Sequence, residues 1–95
     1  LYYKMEEYQA AITSFERFIK ENPTTIHREE IINYMVLTYA RYAEKSVLEK
    51  QRERYELALE KYNTLTYMYP DSKYIAELEP TIEKIKTELS NIKTK

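Results

Sequence analysis

Hydrophobic residues recur along this chain with the spacing of amphipathic helices, and one such stripe occurs twice. Segments 8–23 and 55–70 align without a gap, 47 residues apart. In each, apolar positions fall at i, i+3, i+4, i+7 and i+10, which is one helix face, and a terminal proline stops the helix. The sequence therefore predicts one helical unit used twice. The matched pairs are Tyr8 and Tyr55, Ala11 and Ala58, Ile12 and Leu59, Phe15 and Tyr62, Phe18 and Leu65, and Pro23 and Pro70.

The order of side chains within each copy resembles the second helix of a tetratricopeptide (TPR) repeat. An aromatic residue is followed by an alanine three residues later, a large ring four residues beyond, and a final proline. Where two antiparallel helices cross closely, a methyl group is about the largest side chain that fits. We therefore expect Ala11 and Ala58 to be buried at close crossings. An unrelated amphipathic helix that ends at proline would not explain two copies in register.

The segment between the two copies predicts one long helix and an insertion. Residues 26–45 form the helix, with Thr24 or Thr25 as its N-cap, and its apolar positions cover more than one stripe. It should therefore lie in the middle of a stack. Residues 46–54 lengthen the usual 34-residue TPR period to 47. Ser46 and Glu49 match a capping box, so this insertion either starts the next helix early, projecting beyond the stack, or forms a charged loop.

The C-terminal segment predicts one more helix with a narrow apolar seam. Asp71 or Ser72 supplies its N-cap, and Pro80 should bend it or separate its first turn. The seam suits a helix that closes the stack, although a coiled coil with a second chain would need the same pattern. The opposite face is charged. The seam residues are Ile75, Leu78, Ile82, Ile85, Leu89 and Ile92.

These elements predict an all-α fold of TPR-like antiparallel helix pairs, stacked as a short right-handed superhelix and closed by the C-terminal helix. Residues 1–95 form a single region: a partial repeat at 1–25, a second repeat at 26–72 with its insertion, and a terminal helix at 73–95. LYYKM, residues 1–5, is typical of the end of a preceding helix. We therefore expect the chain to be a fragment of a longer protein.

Composition agrees with this fold class and narrows the function. There is no glycine, only three prolines, and a third of the residues are charged, which favours helices over hairpins. The net charge of −1 argues against a nucleic-acid surface. The absence of cysteine excludes disulfides and thiolate sites, and no apolar run approaches a membrane span.

No residue pattern indicates catalysis or a cofactor. His27 is the only histidine, lies among polar residues and has no second His or Cys with which to share a metal ion. The pair Glu6 and Glu7 suits the start of a helix better than acid/base chemistry. Nucleophile, phosphate-loop and metal-ligand spacings do not occur. We therefore predict a protein that is not an enzyme and has no metal or cofactor.

Binding to another protein is the predicted function, because TPR stacks present a concave groove lined by first helices. On the middle helix, Asn33, Leu37 and Arg41 form one line with i, i+4, i+8 spacing. Glu30 and Tyr34 flank that line.

A second candidate surface is the basic run Lys50, Arg52 and Arg54 in the insertion, for which a solvated helix face is the alternative. Neither this run nor Arg41 falls on the core stripe. Reversing Arg41, or Arg52 and Arg54 together, should therefore leave stability nearly unchanged.

The stretch from 23 to 78 is similar to the BamD (ComL/YfiO-like) lipoproteins of the outer-membrane β-barrel assembly machinery. The similarity lies in the long interval between prolines, the motif INYMVLTYARYAEKS followed by a charged insertion, and the closing YPDSKY. It implies a lipid-anchored scaffold on the periplasmic face of the bacterial outer membrane. Its partners would be a BamA-like barrel subunit and unfolded outer-membrane proteins, with the chain a monomer within a hetero-complex. The alternative is a generic cytoplasmic TPR adaptor that binds a peptide; an upstream signal peptide with a lipidated cysteine would separate the two.

Overall fold

The computed structural model describes residues 5–93, which form four helices and, within that range, no strand. The helices are α1 (Met5–Glu21), α2 (Arg28–Glu44), α3 (Leu48–Met68) and α4 (Lys73–Lys93). The all-α prediction is confirmed. The helix end predicted at residues 1–5 falls largely on residues 1–4, which lie outside the described range.

The two copies of the sequence unit adopt the same local structure. Helices α1 and α3 end at Glu21 and Met68, which are equivalent positions 47 residues apart. In both units the N–H of the residue before the proline donates to a carbonyl four residues earlier, within the helix. The carbonyl of that residue accepts the N–H three residues later, which closes a turn around the proline. The repeat is therefore present in the backbone as well as in the sequence. The bonds are Asn22 N–H to Phe18 O (2.9 Å), Tyr69 N–H to Leu65 O (2.8 Å), Thr25 N–H to Asn22 O (3.0 Å) and Ser72 N–H to Tyr69 O (2.9 Å).

Helix α2 lies at the centre of the fold and contacts each of the other three helices, most extensively α3. Its mid-stack position is confirmed, and it buries residues on more than one side, including Met35, Val36 and Ala43. The predicted threonine N-cap is wrong. His27 occupies the N-cap position without a side-chain bond, and the Thr25 hydroxyl instead accepts the His27 N–H (3.1 Å) within the preceding turn.

The insertion at 46–54 lengthens α3 at its start, so most of it is helical rather than a charged loop. The N-cap is Val47, with no side-chain cap, so the predicted capping box of Ser46 and Glu49 does not form. Instead of capping α3, the Ser46 hydroxyl donates to the Tyr42 carbonyl at the end of α2. Val47 and Leu48 remain exposed at the corner between the two helices.

Helix α4 places its apolar seam against α2 and α3 of its own chain, as the closure interpretation predicts. Leu78, Ile82 and Ile85 are at most 3% exposed. Ser72 provides the predicted cap, because its hydroxyl accepts the Tyr74 N–H (3.1 Å). The prediction that Pro80 separates a first turn is wrong, since the helix continues through it. Pro80 lies on the exposed face, where water can satisfy the carbonyl that loses its donor.

The two equivalent alanines occupy different environments. Ala58 on α3 is fully buried, as expected for a close crossing, whereas Ala11 on α1 is only half-buried. The prediction for Ala11 is therefore wrong. The difference follows from the arrangement of the helices, because α3 packs against α2 and α4, while the backbone of α1 approaches only α2 among the described helices.

Candidate partner-binding surface

An exposed ridge on α2 forms the centre of the candidate site. Tyr34 and Leu37 are 44% and 39% exposed, and Arg41 is exposed one turn beyond them. Asn33, predicted to lie on this line, is only 6% exposed and cannot contact a partner. Because α2 is covered by three helices, only a narrow strip reaches solvent. That strip passes through Tyr34 rather than through Asn33.

On one side of the ridge, α1 and α2 enclose an open groove of about 480 Å³. Two ring pairs join these helices: Tyr8 with Tyr42 at a centroid distance of 6.1 Å, and Phe15 with Tyr34 at 6.2 Å. The pairs lie two helical turns apart, so the groove is held at two points along its length. Its lining residues are Glu7, Tyr8, Ala11, Leu37, Thr38 and Arg41.

On the other side of the ridge, a smaller groove of about 160 Å³ lies between α2 and α4. Leu37 and Arg41 line this groove as well, so both side chains can be reached from two directions. The Lys84 ammonium pairs with the Glu44 carboxylate at 3.1 Å across the same two helices. Both groups are well exposed, so this pair contributes little stability, but it fixes the polar edge of the groove.

At the N-terminal end of the ridge, Tyr34 and Glu30 are already bonded to each other. The Tyr34 hydroxyl donates to the Glu30 carboxylate at 3.1 Å. This hydrogen bond, together with the negative charge of Glu30, raises the pKa of Tyr34. His27 Nδ1 lies 3.9 Å from the same carboxylate, and the His27 side chain is exposed. A ligand at this end would therefore meet a polar cluster with a phenol ring beside it.

On the face of α2 opposite the ridge, a partly buried link joins three helices, and the sequence did not predict it. The Tyr39 hydroxyl donates to the Glu16 carboxylate of α1 (3.3 Å), and Glu16 pairs with Lys61 of α3 at 3.8 Å. These three side chains connect three helices. Burial, followed by the charge of Glu16 and this hydrogen bond, raises the pKa of Tyr39 to about 12. Residue spacing within one helix carries no signal for a contact between residues 23 positions apart.

The Tyr39 link predicts a loss of stability in alkali. Between pH 10.0 and about 12 the folded protein holds the Tyr39 proton more tightly than the unfolded chain does. The contribution of the Tyr39 link to the unfolding free energy is therefore complete below pH 10.0 and is lost as the pH rises to about 12. Relative to Tyr39→Phe, the wild-type protein should lose about 2 kcal/mol of unfolding free energy over this window. Urea denaturation of both proteins at several pH values measures the difference; parallel curves would contradict it.

Within the insertion, the three predicted basic residues separate into two kinds. Lys50 and Arg52 are exposed. Arg54 is half-buried, with its guanidinium carbon 4.0 Å from the centre of the Tyr42 ring, and it donates to the Ser46 hydroxyl at 2.6 Å. A cation over an aromatic face and a charged hydrogen bond both stabilise the α2–α3 corner. These contacts contradict the premise that Arg54 stands apart from the packed helices, so its reversal should lower stability.

The described residues contain no other arrangement that indicates chemistry. No group of three or more His, Cys, Asp or Glu side chains in residues 5–93 is placed to hold a metal ion. None of the helices described is both long enough and apolar enough to span a bilayer.

Comparison with protein families gives a match that covers almost the whole chain. Residues 1–94 match the family described as YfiO, outer membrane lipoprotein. Among curated proteins, none matches the sequence significantly. The family match includes all four helices and therefore both candidate surfaces.

Proposed function

Because the chain belongs to the YfiO family of outer membrane lipoproteins, we propose that it is a non-catalytic scaffold of the outer-membrane β-barrel assembly machinery. In this role it holds a BamA-like subunit, unfolded barrel proteins, or both. A lipid anchor outside this chain would keep it on the periplasmic face of the membrane. The generic cytoplasmic adaptor remains the alternative, but an outer membrane lipoprotein family favours the envelope.

The observation that carries the proposal is the α2 ridge with a groove on each side. Leu37 offers an apolar contact, and Arg41 offers a charged side chain with no ion-pair partner among the described residues. Exposed arginines beside apolar grooves are frequent anchors of protein interfaces. The ridge rests on a packed helix, so a partner meets a surface that is already formed.

The exposed part of the insertion supports a second contact. Lys50 and Arg52 lie on the first two turns of α3, beside the apolar corner formed by Val47 and Leu48. A basic edge next to exposed aliphatic residues suits a folded partner with an acidic surface. We assign the groove to an extended or helical segment, and this corner to a folded subunit such as a BamA-like protein.

Charge reversal at the two surfaces tests the proposal in the full-length protein. Arg41→Glu, or Lys50→Glu with Arg52→Glu, should leave the melting temperature nearly unchanged, because these side chains are exposed and have no ion-pair partner within residues 5–93. Each should weaken partner capture, and an interface arginine can cost about 2 kcal/mol of binding or more. Co-purification with the BamA-like subunit and thermal melting are the two measurements.

Glu79→Lys provides the control, since Glu79 is exposed on the polar face of α4. Loss of capture only in the Arg41 variant places a segment in the grooves, and loss only in the insertion variant places a folded partner at the corner. Capture at wild-type yield by a protein that carries all three reversals would contradict both assignments.

A further inference from the structure

A third groove, of about 670 Å³, runs along the exposed face of α3 and is lined by residues of that helix alone. One side is formed by Glu56, Glu60 and Thr64, and the other by Leu59, Asn63 and Tyr67. Neither of the two candidate surfaces above includes these residues.

The shape of this α3 groove fits another helix. Side chains four residues apart form ridges along a helix, and both sides of the groove have that spacing. The commonest packing of two helices places such a ridge of one into the groove of the other. An extended peptide would not match this inclination along the whole groove.

The side chains of the α3 groove indicate which kind of helix could bind there. Tyr67 is 88% exposed and the adjoining Met68 is 40% exposed, so a large apolar surface faces solvent. Glu56 and Glu60 are exposed, and neither has an ion-pair partner in the part of the chain that the structure describes. No lysine or arginine lines the groove. The surface is therefore apolar with an acidic edge.

In the other copy of the repeat, the same row of residues is partly buried and has an ion-pair partner. In α1 the equivalents of Leu59 and Asn63 are Ile12 and Glu16. Ile12 is only 7% exposed, and Glu16 pairs with Lys61 of α3. This row in α1 thus faces a neighbouring helix that supplies a lysine. In α3, Leu59 is half-buried against the core, whereas Asn63 and Tyr67 further along the row are exposed.

We propose that the α3 groove is a docking site for an amphipathic helix of another protein. The apolar stripe of that helix covers Leu59 and Tyr67, and lysines or arginines along its edge pair with Glu56 and Glu60. Paired acidic and basic groups at the edge select the partner, while the apolar centre provides most of the affinity. The site is separate from the α2 grooves of the proposed function.

A synthetic helix of known chemistry tests the site in the full-length protein. The probe is a labelled peptide of roughly 18 residues, long enough to form a helix, with leucine at i, i+3, i+4 and i+7 and lysine elsewhere. A second peptide replaces each lysine with glutamate. Fluorescence anisotropy should show binding of the lysine peptide and binding at least about tenfold weaker for the glutamate peptide. Equal binding of the two peptides, or no binding of either, overturns the proposal.

Substitutions then locate the binding. Tyr67→Ser, or Glu56→Lys with Glu60→Lys, should each weaken the lysine peptide about tenfold. The matched control is Glu79→Lys with Glu83→Lys, the same charge change at exposed positions of α4, which should leave binding unchanged.

Three results would overturn the proposal. An equal loss in the α4 control shows attraction to net charge alone. A loss in Arg41→Glu, with none in Tyr67→Ser, places the peptide in the α2 grooves. Self-association in sedimentation that Tyr67→Ser abolishes shows that a second copy of the chain occupies the site.

Discussion

Ile85→Asp should cost about 3–5 kcal/mol of unfolding free energy, the largest stability effect that we expect in this chain. Ile85 is 1% exposed at the centre of the α4 seam, so the substitution leaves a carboxylate without an ion-pair partner in an apolar environment. Small domains are stable by only about 5–15 kcal/mol, so the variant should lose a large part of its stability. Urea denaturation followed by circular dichroism measures the loss.

The adjacent exposed residue provides the control, because Lys86→Asp introduces the same side chain on the polar face of α4. Its cost should stay within about 0.5 kcal/mol. The rival interpretation of the seam, a coiled coil with a second chain, makes a different prediction. In that case Ile85→Asp would convert a dimer into a folded monomer, which sedimentation would detect.

The repeat made most of the fold predictable from the sequence. A stripe that recurs 47 residues later, with a proline at the same place, determines where α1 and α3 end and which of their faces are apolar. The seam of α4 was equally clear, because its spacing and its charged opposite face leave only one side to bury. Hydrophobic spacing therefore predicted the elements and their buried faces.

What the sequence did not predict depends on contacts between helices. Asn33 and Tyr34 are neighbours on α2, and which of them faces solvent depends on how three other helices cover it. Likewise, Arg54 appeared as one more charge in a basic run until its position over the Tyr42 ring was known. The candidate site was therefore predicted to within one helix face, but its exact strip was not.

Equivalent positions in the two copies of the repeat do not have equal surroundings. Ala11 and Ala58 occupy the same position in the unit, yet only Ala58 is fully buried. The same is true of the pair Phe18 and Leu65, which are 40% and 0% exposed. This inequality can be tested directly by truncating both members of the second pair.

Leu65→Ala should cost about 2–5 kcal/mol, whereas Phe18→Ala should cost about 1 kcal/mol or less. Removing a fully buried leucine side chain loses its transfer free energy and leaves a cavity. Phe18 loses more atoms on truncation, but solvent already reaches its ring, and alanine favours the helix. Side-chain size alone would predict the opposite order. Urea midpoints of the two variants decide, and an equal or greater loss at Phe18 would mean that the open face of α1 is covered in solution, making the two copies equivalent.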